Sequence, residues 1–289
     1  MKLTIGLAQI SPRLGDVKAN LDKHLRSVEQ AVEQGIQLLM FPELSLTGYM
    51  LQDLAHDTAI AMTRPPEPDD ALLAPLVEAS RKLDLVVGFA ERDVRGRLFT
   101  AGAYLSQGRI IHIHRKVYLP TYGIFDEGRY FAWGNEVRAF DTRFGRVGVL
   151  ICEDFWHASP PYLLWLDGAD MLLHCSSSPG RGLGYDGKLA SSRWVELVNQ
   201  AYASLFTNYV LHVNRVGYED GVNFWGGSLI FDPKGDPVAQ APYFEEALLT
   251  AELDLGIARR VRARLPLLRD ERVALTFREM RRIVGDMNT

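Results

Sequence analysis

Three apolar runs of the chain end in a side chain able to do covalent or proton-transfer chemistry: "LLMFPE" in Glu43, "IIHIHRK" in Lys116 and "VGVLIC" in Cys152. At the strand ends of an α/β sheet, side chains leave the packed core and meet a cleft. Taken singly, each has a plain reading as a solvated glutamate, a solvated lysine or a small core cysteine. Together they meet one chemical need. Attack on an amide or nitrile carbon requires a thiolate, a base to make it, and a donor for the charge that develops on oxygen or nitrogen. A buried carboxylate with a raised pKa can take the thiol proton and return it to departing ammonia, while an ammonium offsets the negative charge. Glu153 and Asp154 follow the cysteine directly in "ICEDFW", and acids beside a thiol hold it protonated.

Periodicity supplies the elements that must deliver these groups. "KLTIGLAQI" reads as a first buried strand, and residues 16–33 set Val17, Leu21, Leu25, Val28 and Val32 on one helical stripe that Gly35 closes. Strand "IQLLMF", a turn-rich stretch from Pro42 to Gly48, a Pro/Asp-rich link at 64–70, a helix over 71–83 and strand "LDLVVGFAE" continue a βαβαβ order. Residues 98–118 predict two strands about a Gln-Gly turn, and residues 137–152 repeat that arrangement around "TRFG". Strand "ADMLLHC", a long helix over 187–205, strands "YVLHVNRV", "GGSLIFD" and "EALLTAELD", and a helical tail over 256–284 complete the order. This alternation predicts an α/β fold of two packed mixed sheets with helices on their outer faces. No fixed-period repeat or linker interrupts it, so residues 1–289 are expected to form a single domain whose tail, from about 256 to 289, serves subunit contacts.

Composition narrows the function classes. A chain of 289 residues with 47% hydrophobic content can bury a sizeable core. Its 32 basic and 36 acidic residues are dispersed and sum to a net charge of -4, which points away from nucleic acid as a partner. Cys152 and Cys175 make no disulfide framework and favour a reducing, cytoplasmic setting. The start has too short an apolar run for a signal peptide and no window is long enough to span a membrane, so a soluble protein is expected.

The three strand-end segments resemble the nitrilase superfamily of carbon-nitrogen hydrolases. "FPELSLTGY" (41–49) is similar to the family's glutamate motif, "HRKVYLP" (114–120) to its lysine motif and "GVLICEDFW" (148–156) to its cysteine motif, in the family's chain order. The resemblance implies a four-layer α-β-β-α sandwich, usually paired with a second copy through one helical face. It also implies Glu43 as general base, Lys116 as transition-state stabiliser, Cys152 as nucleophile, and Glu127 of "YGIFDEGRYF" as a second glutamate that positions lysine and substrate. The backbone N–H of Glu153 would join Lys116 in the oxyanion site. Within the family, "YLPTYGIFDEGRYF" (118–131) with "ICEDFW" is most similar to the glutamine-hydrolysing domain of glutamine-dependent NAD synthetases, which implies Tyr49, Tyr122, Glu153 and Ser178 at the substrate pocket. No "SGGxDS"-like loop follows residue 253, so the expectation is a free-standing amidase, or a supplier of ammonia to a separate synthetase. The expected reaction is hydrolysis of a small carboxamide such as glutamine to acid and ammonia, with nitriles and N-carbamoyl amides as open alternatives.

Other patterns carry weaker signals. "GLGYDG" at 182–187 spells a dinucleotide fingerprint, yet its glycines come several residues after the strand, and Leu189 stands where a phosphate loop needs Ser or Thr after Lys188. His112 and His114 alternate on one strand face as a zinc pair would, but lack further ligands and share the face with Lys116. No cofactor and no metal are therefore expected. Cys175 in "HCSSSP" reads as a pocket-wall or core thiol. Arg259, Arg260, Arg262, Arg264, Arg281 and Arg282 lack interleaved aromatics and read as subunit contacts.

Overall fold

The computed structural model describes residues 1–62, 72–182 and 189–287. Among these residues the first sheet holds β1 (Lys2–Gln9), β2 (Leu38–Met40), β3 (Ile60–Met62), β4 (Asp84–Asp93), β5 (Leu98–Ser106), β6 (Arg109–Arg115) and, from far along the chain, β15 (Ala247–Asp254). The second holds β7 (Phe140–Thr142), β8 (Gly145–Ile151), β9 (Met171–Ser176), β10 (Tyr209–Asn214), β13 (Leu229–Phe231) and β14 (Pro237–Gln240). A separate hairpin, β11 (Val216–Glu219) with β12 (Val222–Trp225), follows β10. Both sheets are mixed. Parallel β1, β2 and β4 are flanked by antiparallel β15 and β5, and parallel β8, β9 and β10 by antiparallel β7 and β13.

Alternation along each strand explains the layering, because successive side chains face opposite ways. Ile5, Leu7, Leu38, Met40 and Val86 of the first sheet meet Val147, Val149, Met171, Leu173 and Leu211 of the second in one core between the sheets. Their neighbours Leu39, Leu85 and Val87 face outward, under α1 (Val17–Glu33) and the short helix Ala74–Ala79. On the far side Leu150, Leu172 and Val210 pack beneath Ser159–Leu166 and Ala190–Phe206. Helix, sheet, sheet, helix is the resulting order. In chain order the helices after α1 are α2 (Ala55–Thr58), α3 (Ala74–Ala79), α4 (Glu127–Tyr130), α5 (Ser159–Leu166), α6 (Ala190–Phe206), α7 (Gly256–Arg264), α8 (Leu267–Asp270) and α9 (Val273–Met287).

Asp16 caps α1 by accepting from the Ala19 N–H at 3.1 Å, and Gly35 turns the chain at φ +68° beyond its end. Leu21 and Val28 of the expected stripe are buried, but Val32 is 41% exposed, since the buried face of α1 continues from Val28 to Ala31 and leaves Val32 beside it. The helix expected over 71–83 is shorter, and the Pro/Asp-rich link at 64–70 lies outside the described residues. The 256–284 tail is broken into α7, α8 and α9, with Pro266 between the first two. The domain itself claims the first piece: Arg262 donates to Asp170 Oδ1 at 2.6 Å and Ala258 is buried. The last piece, α9, turns a row of large apolar side chains outward, among them Phe277, Met280 and Met287. Among the described residues no helix is long and apolar enough to cross a membrane.

Candidate active site

Glu43 follows β2 in a tight loop that lies against β4 at Gly88. A Cβ there would sit 2.3 Å from the Pro42 carbonyl oxygen, so only glycine lets the loop lie this close. Lys116 is the first residue after β6, pinned by its N–H to the Thr100 carbonyl at 2.9 Å. Cys152 follows β8 and opens a single 3₁₀ turn, Cys152–Phe155, at φ +42°. A non-glycine residue in that region is strained, and such strain persists only where surrounding contacts enforce it. Glu127 begins α4.

The fold brings these groups together. Lys116 Nζ donates to Glu43 Oε1 and to Glu127 Oε1, each at 2.8 Å, with Lys116 and Glu43 almost wholly buried. Tyr49 donates its phenol to Glu127 Oε1 at 2.6 Å, and the Ser177 N–H, beyond β9, donates to Glu43 Oε2 at 2.8 Å. Burial raises the Glu43 carboxyl to about 7; Lys116 pulls it down and Glu127 pushes it further up. For Lys116 burial favours the neutral amine, but the carboxylates of Glu127 and Glu43 overcome this and hold the ammonium well above its usual pKa. The Cys152 thiol is pushed well up by burial and by Glu43, with Lys116 opposing. The resting site therefore holds a neutral thiol, a fixed ammonium and a carboxyl that titrates near neutrality.

Cys152 opens on a cavity of 430 Å³ that is also lined by Tyr122, Glu153, Ser178, Arg181 and Trp194. At its mouth the Tyr122 phenol donates to Glu153 Oε2 at 2.8 Å, and burial raises the Glu153 carboxyl. Ser178 shares a 2.6 Å hydrogen bond with Ser176 and donates its N–H to Asn214 Oδ1. Tyr49 stands apart from the other three expected pocket residues: it lines a neighbouring cavity of 270 Å³ on the Glu127 side.

One residue at the centre of this arrangement carries no strand-end signature. Asp154, fully buried, accepts from His114 Nε2 at 2.8 Å, from the N–H groups of Val117 and Tyr118 at 3.0 Å each, and from the Ile151 N–H at 3.1 Å. It thereby clasps the backbone that carries Lys116 to the backbone that carries Cys152. Burial opposes its charge, but His114 and the backbone donors hold its carboxyl below the usual range. His114 is thus taken up by a carboxylate, while His112 stacks on Phe140 at 4.4 Å between centroids. Among the described residues no group of three or more His, Cys, Asp or Glu could hold a metal ion. The "GLGYDG" segment lies outside the described residues from 183 onward, with Lys188. Cys175 is a free thiol packed between the sheets. Replacing Asp154 with Ala leaves buried donors on two segments unmet, and urea unfolding is expected to show a loss of about 3 kcal/mol or more.

Residues 4–263 match the carbon-nitrogen hydrolase family. The chain belongs to this family. As a carbon-nitrogen hydrolase of the nitrilase superfamily it is an enzyme type that acts on carbon–nitrogen bonds other than peptide bonds, and its α/β sandwich is the fold of its structural neighbours. It is 33% identical over 261 residues to a glutamine-dependent NAD(+) synthetase of Thermotoga maritima, covering 88% of this hydrolase and 42% of the synthetase. The structure of glutamine-dependent NAD+ synthetase from Acinetobacter baumannii superposes with a TM-score of 0.76 at 30% identity, over 88% of this chain and 46% of that one. A nitrilase of Pyrococcus abyssi is 29% identical over 259 residues, with 89% of this hydrolase and 92% of that protein covered. The chain thus spans less than half the length of the synthetases it matches.

Proposed function

We propose that this carbon-nitrogen hydrolase releases ammonia from a small primary carboxamide through a thioacyl-enzyme on Cys152, glutamine being the first candidate. The observation that carries the reading is the ammonium of Lys116 held between two buried carboxylates whose charges act on the Cys152 thiol. Glu43 takes the thiol proton as sulfur attacks the amide carbon. The charge that develops on the amide oxygen is met by Lys116 and the Glu153 N–H, buried donors held in place before the reaction. Glu43 then returns the proton to the departing nitrogen, giving ammonia and a thioester. Water, deprotonated by Glu43 beside Glu127, attacks the thioester and frees the acid and the thiol.

Tyr122, Glu153 and Ser178 at the cavity support a substrate that is polar at the end remote from the amide; the Glu153 carboxylate suits an amino group there. Assays on glutamine, simple amides, ureido acids and nitriles test this. Ammonia without carbon dioxide from a carboxamide is the expected result, whereas turnover confined to nitriles or ureido acids would move the protein to a different branch of the same chemistry. A second reading, ammonia supply to a synthetase, is supported by the match to less than half the length of NAD synthetases. It predicts that a synthetase lacking its own glutaminase stimulates glutamine hydrolysis. Pairing with a second copy belongs to the same proposal, with the outward apolar side chains of α9 as its support.

A further inference from the structure

The hairpin after β10 reaches the site from a side that the mechanism does not use. Glu219, at the end of β11, is buried, and its Oε1 accepts from the N–H groups of Tyr49 at 2.7 Å and Met50 at 2.6 Å. Its Oε2 takes Arg215 Nη1 at 2.6 Å. Arg215 is itself fully buried, its guanidinium 4.2 Å over the Phe224 ring, and Phe224 packs edge-on against Tyr49 at 5.8 Å. The approach is tight: at Gly48, with φ +89°, a Cβ would lie 3.3 Å from Glu219 Oε2 and 2.7 Å from the Leu14 Cα. Beyond Tyr49 the chain of contacts runs on, since its phenol and Lys116 Nζ share Glu127 Oε1.

Desolvating an arginine and a glutamate costs several kcal/mol per ion, and an apolar pair would fill the same volume at no such cost. The pair here is spent on the backbone of two adjacent residues, Tyr49 and Met50, and the side chain of the first holds Glu127. We propose that the buried Arg215–Glu219 pair is a positioning device that fixes Tyr49 and, through its phenol, keeps Glu127 on Lys116. Glu219 is a positioning residue and not a catalytic one, because its hydrogen bonds go to Arg215 and to the Tyr49 and Met50 backbone.

The inference rests on the amide-hydrolysis reading for its kinetic readout, so a second readout independent of substrate accompanies it: the rate at which iodoacetamide alkylates Cys152, followed by intact mass. The variant is Arg215→Met with Glu219→Leu, which strips the clamp without leaving a lone buried charge. A protein that melts close to wild type is expected to lose about 10- to 100-fold in kcat, the scale of a misplaced catalytic group, with KM changed less than about threefold. Its alkylation slows as well. Adding Tyr49→Phe is expected to bring little further loss, because both changes cut the same chain of contacts. Wild-type kcat in the folded variant, or a loss that multiplies with that of Tyr49→Phe, overturns the proposal. Should the apolar pair not fold, Glu219→Gln takes its place in the cycle: a shared loss with Tyr49→Phe supports the clamp and a multiplied loss overturns it. A wild-type protein that hydrolyses no amide sinks the hydrolysis reading alone, since the alkylation cycle still reports on positioning.

Discussion

Cys152→Ala is expected to fold as the wild type does and to lose amide turnover by about four to six orders of magnitude, the scale seen when a covalent nucleophile is removed. Alanine keeps the Cβ, and Asp154 still grips the turn through the Ile151 N–H, so the φ +42° geometry has the same support. No second thiol takes over. Cys175 packs between the sheets, and burial and Glu43 push its thiol well up. Circular dichroism and an ammonia assay on the same sample check both halves. Alanine protein that still releases ammonia would remove Cys152 from the mechanism. Intact mass of wild-type protein after brief exposure to amides is expected to show an acyl increment on Cys152 that the alanine protein lacks.

Glu43→Gln has the second largest expected effect. Loss of the base should lower kcat by about 10²- to 10⁴-fold, the span of general acid–base catalysis by a positioned side chain. The pH dependence gives its signature. Glu43 works as an acceptor only when ionised, so the acid limb of kcat/KM is expected near 7, where burial has raised its carboxyl, and should vanish from the residual activity of the glutamine variant. Stability follows the opposite course. A carboxyl raised from 4.5 to about 7 on folding favours the folded state while protonated; that contribution is complete below 4.5 and is lost as pH rises through 7. Above pH 7 the glutamine protein should therefore be at least as stable as wild type by urea midpoint. An acid limb that stays near 7 in Glu43→Gln would assign it to another group.

Glu43, Lys116 and Cys152 were legible because each closes an apolar run, and the end of a buried strand is where a polar side chain has somewhere to go. The two sheets and their hairpins were legible for the related reason that alternation and turn chemistry are local. Asp154 was not: its partners His114, Val117 and Tyr118 lie some forty residues earlier in the chain, and beside a cysteine it reads as an electrostatic burden on the thiol. Glu219 was hidden in the same way, within a two-stranded hairpin whose strands are too short to show a period. The tail carried a usable signal in Pro266, but its arginines drew attention to partners outside the domain while Arg262 found Asp170 within it. Tyr49 kept its place near the site with a different contact, since a phenol can face a substrate or a carboxylate and spacing does not choose between them.

The Asp154 clasp and the Ser177–Glu43 hydrogen bond each join a strand end of one sheet to a strand end of the other. The proposed reaction centre is therefore a seam, with the candidate base and ammonium on one slab and the candidate nucleophile on the other. Sliding of the slabs by a fraction of a side chain would shear the core between them, leave the outer cores under the helices intact, and separate the reacting atoms. The enzyme then behaves as a strain gauge for its own midplane: in rising urea, catalysis should fade before the far-ultraviolet signal does, because the seam fails before either slab melts.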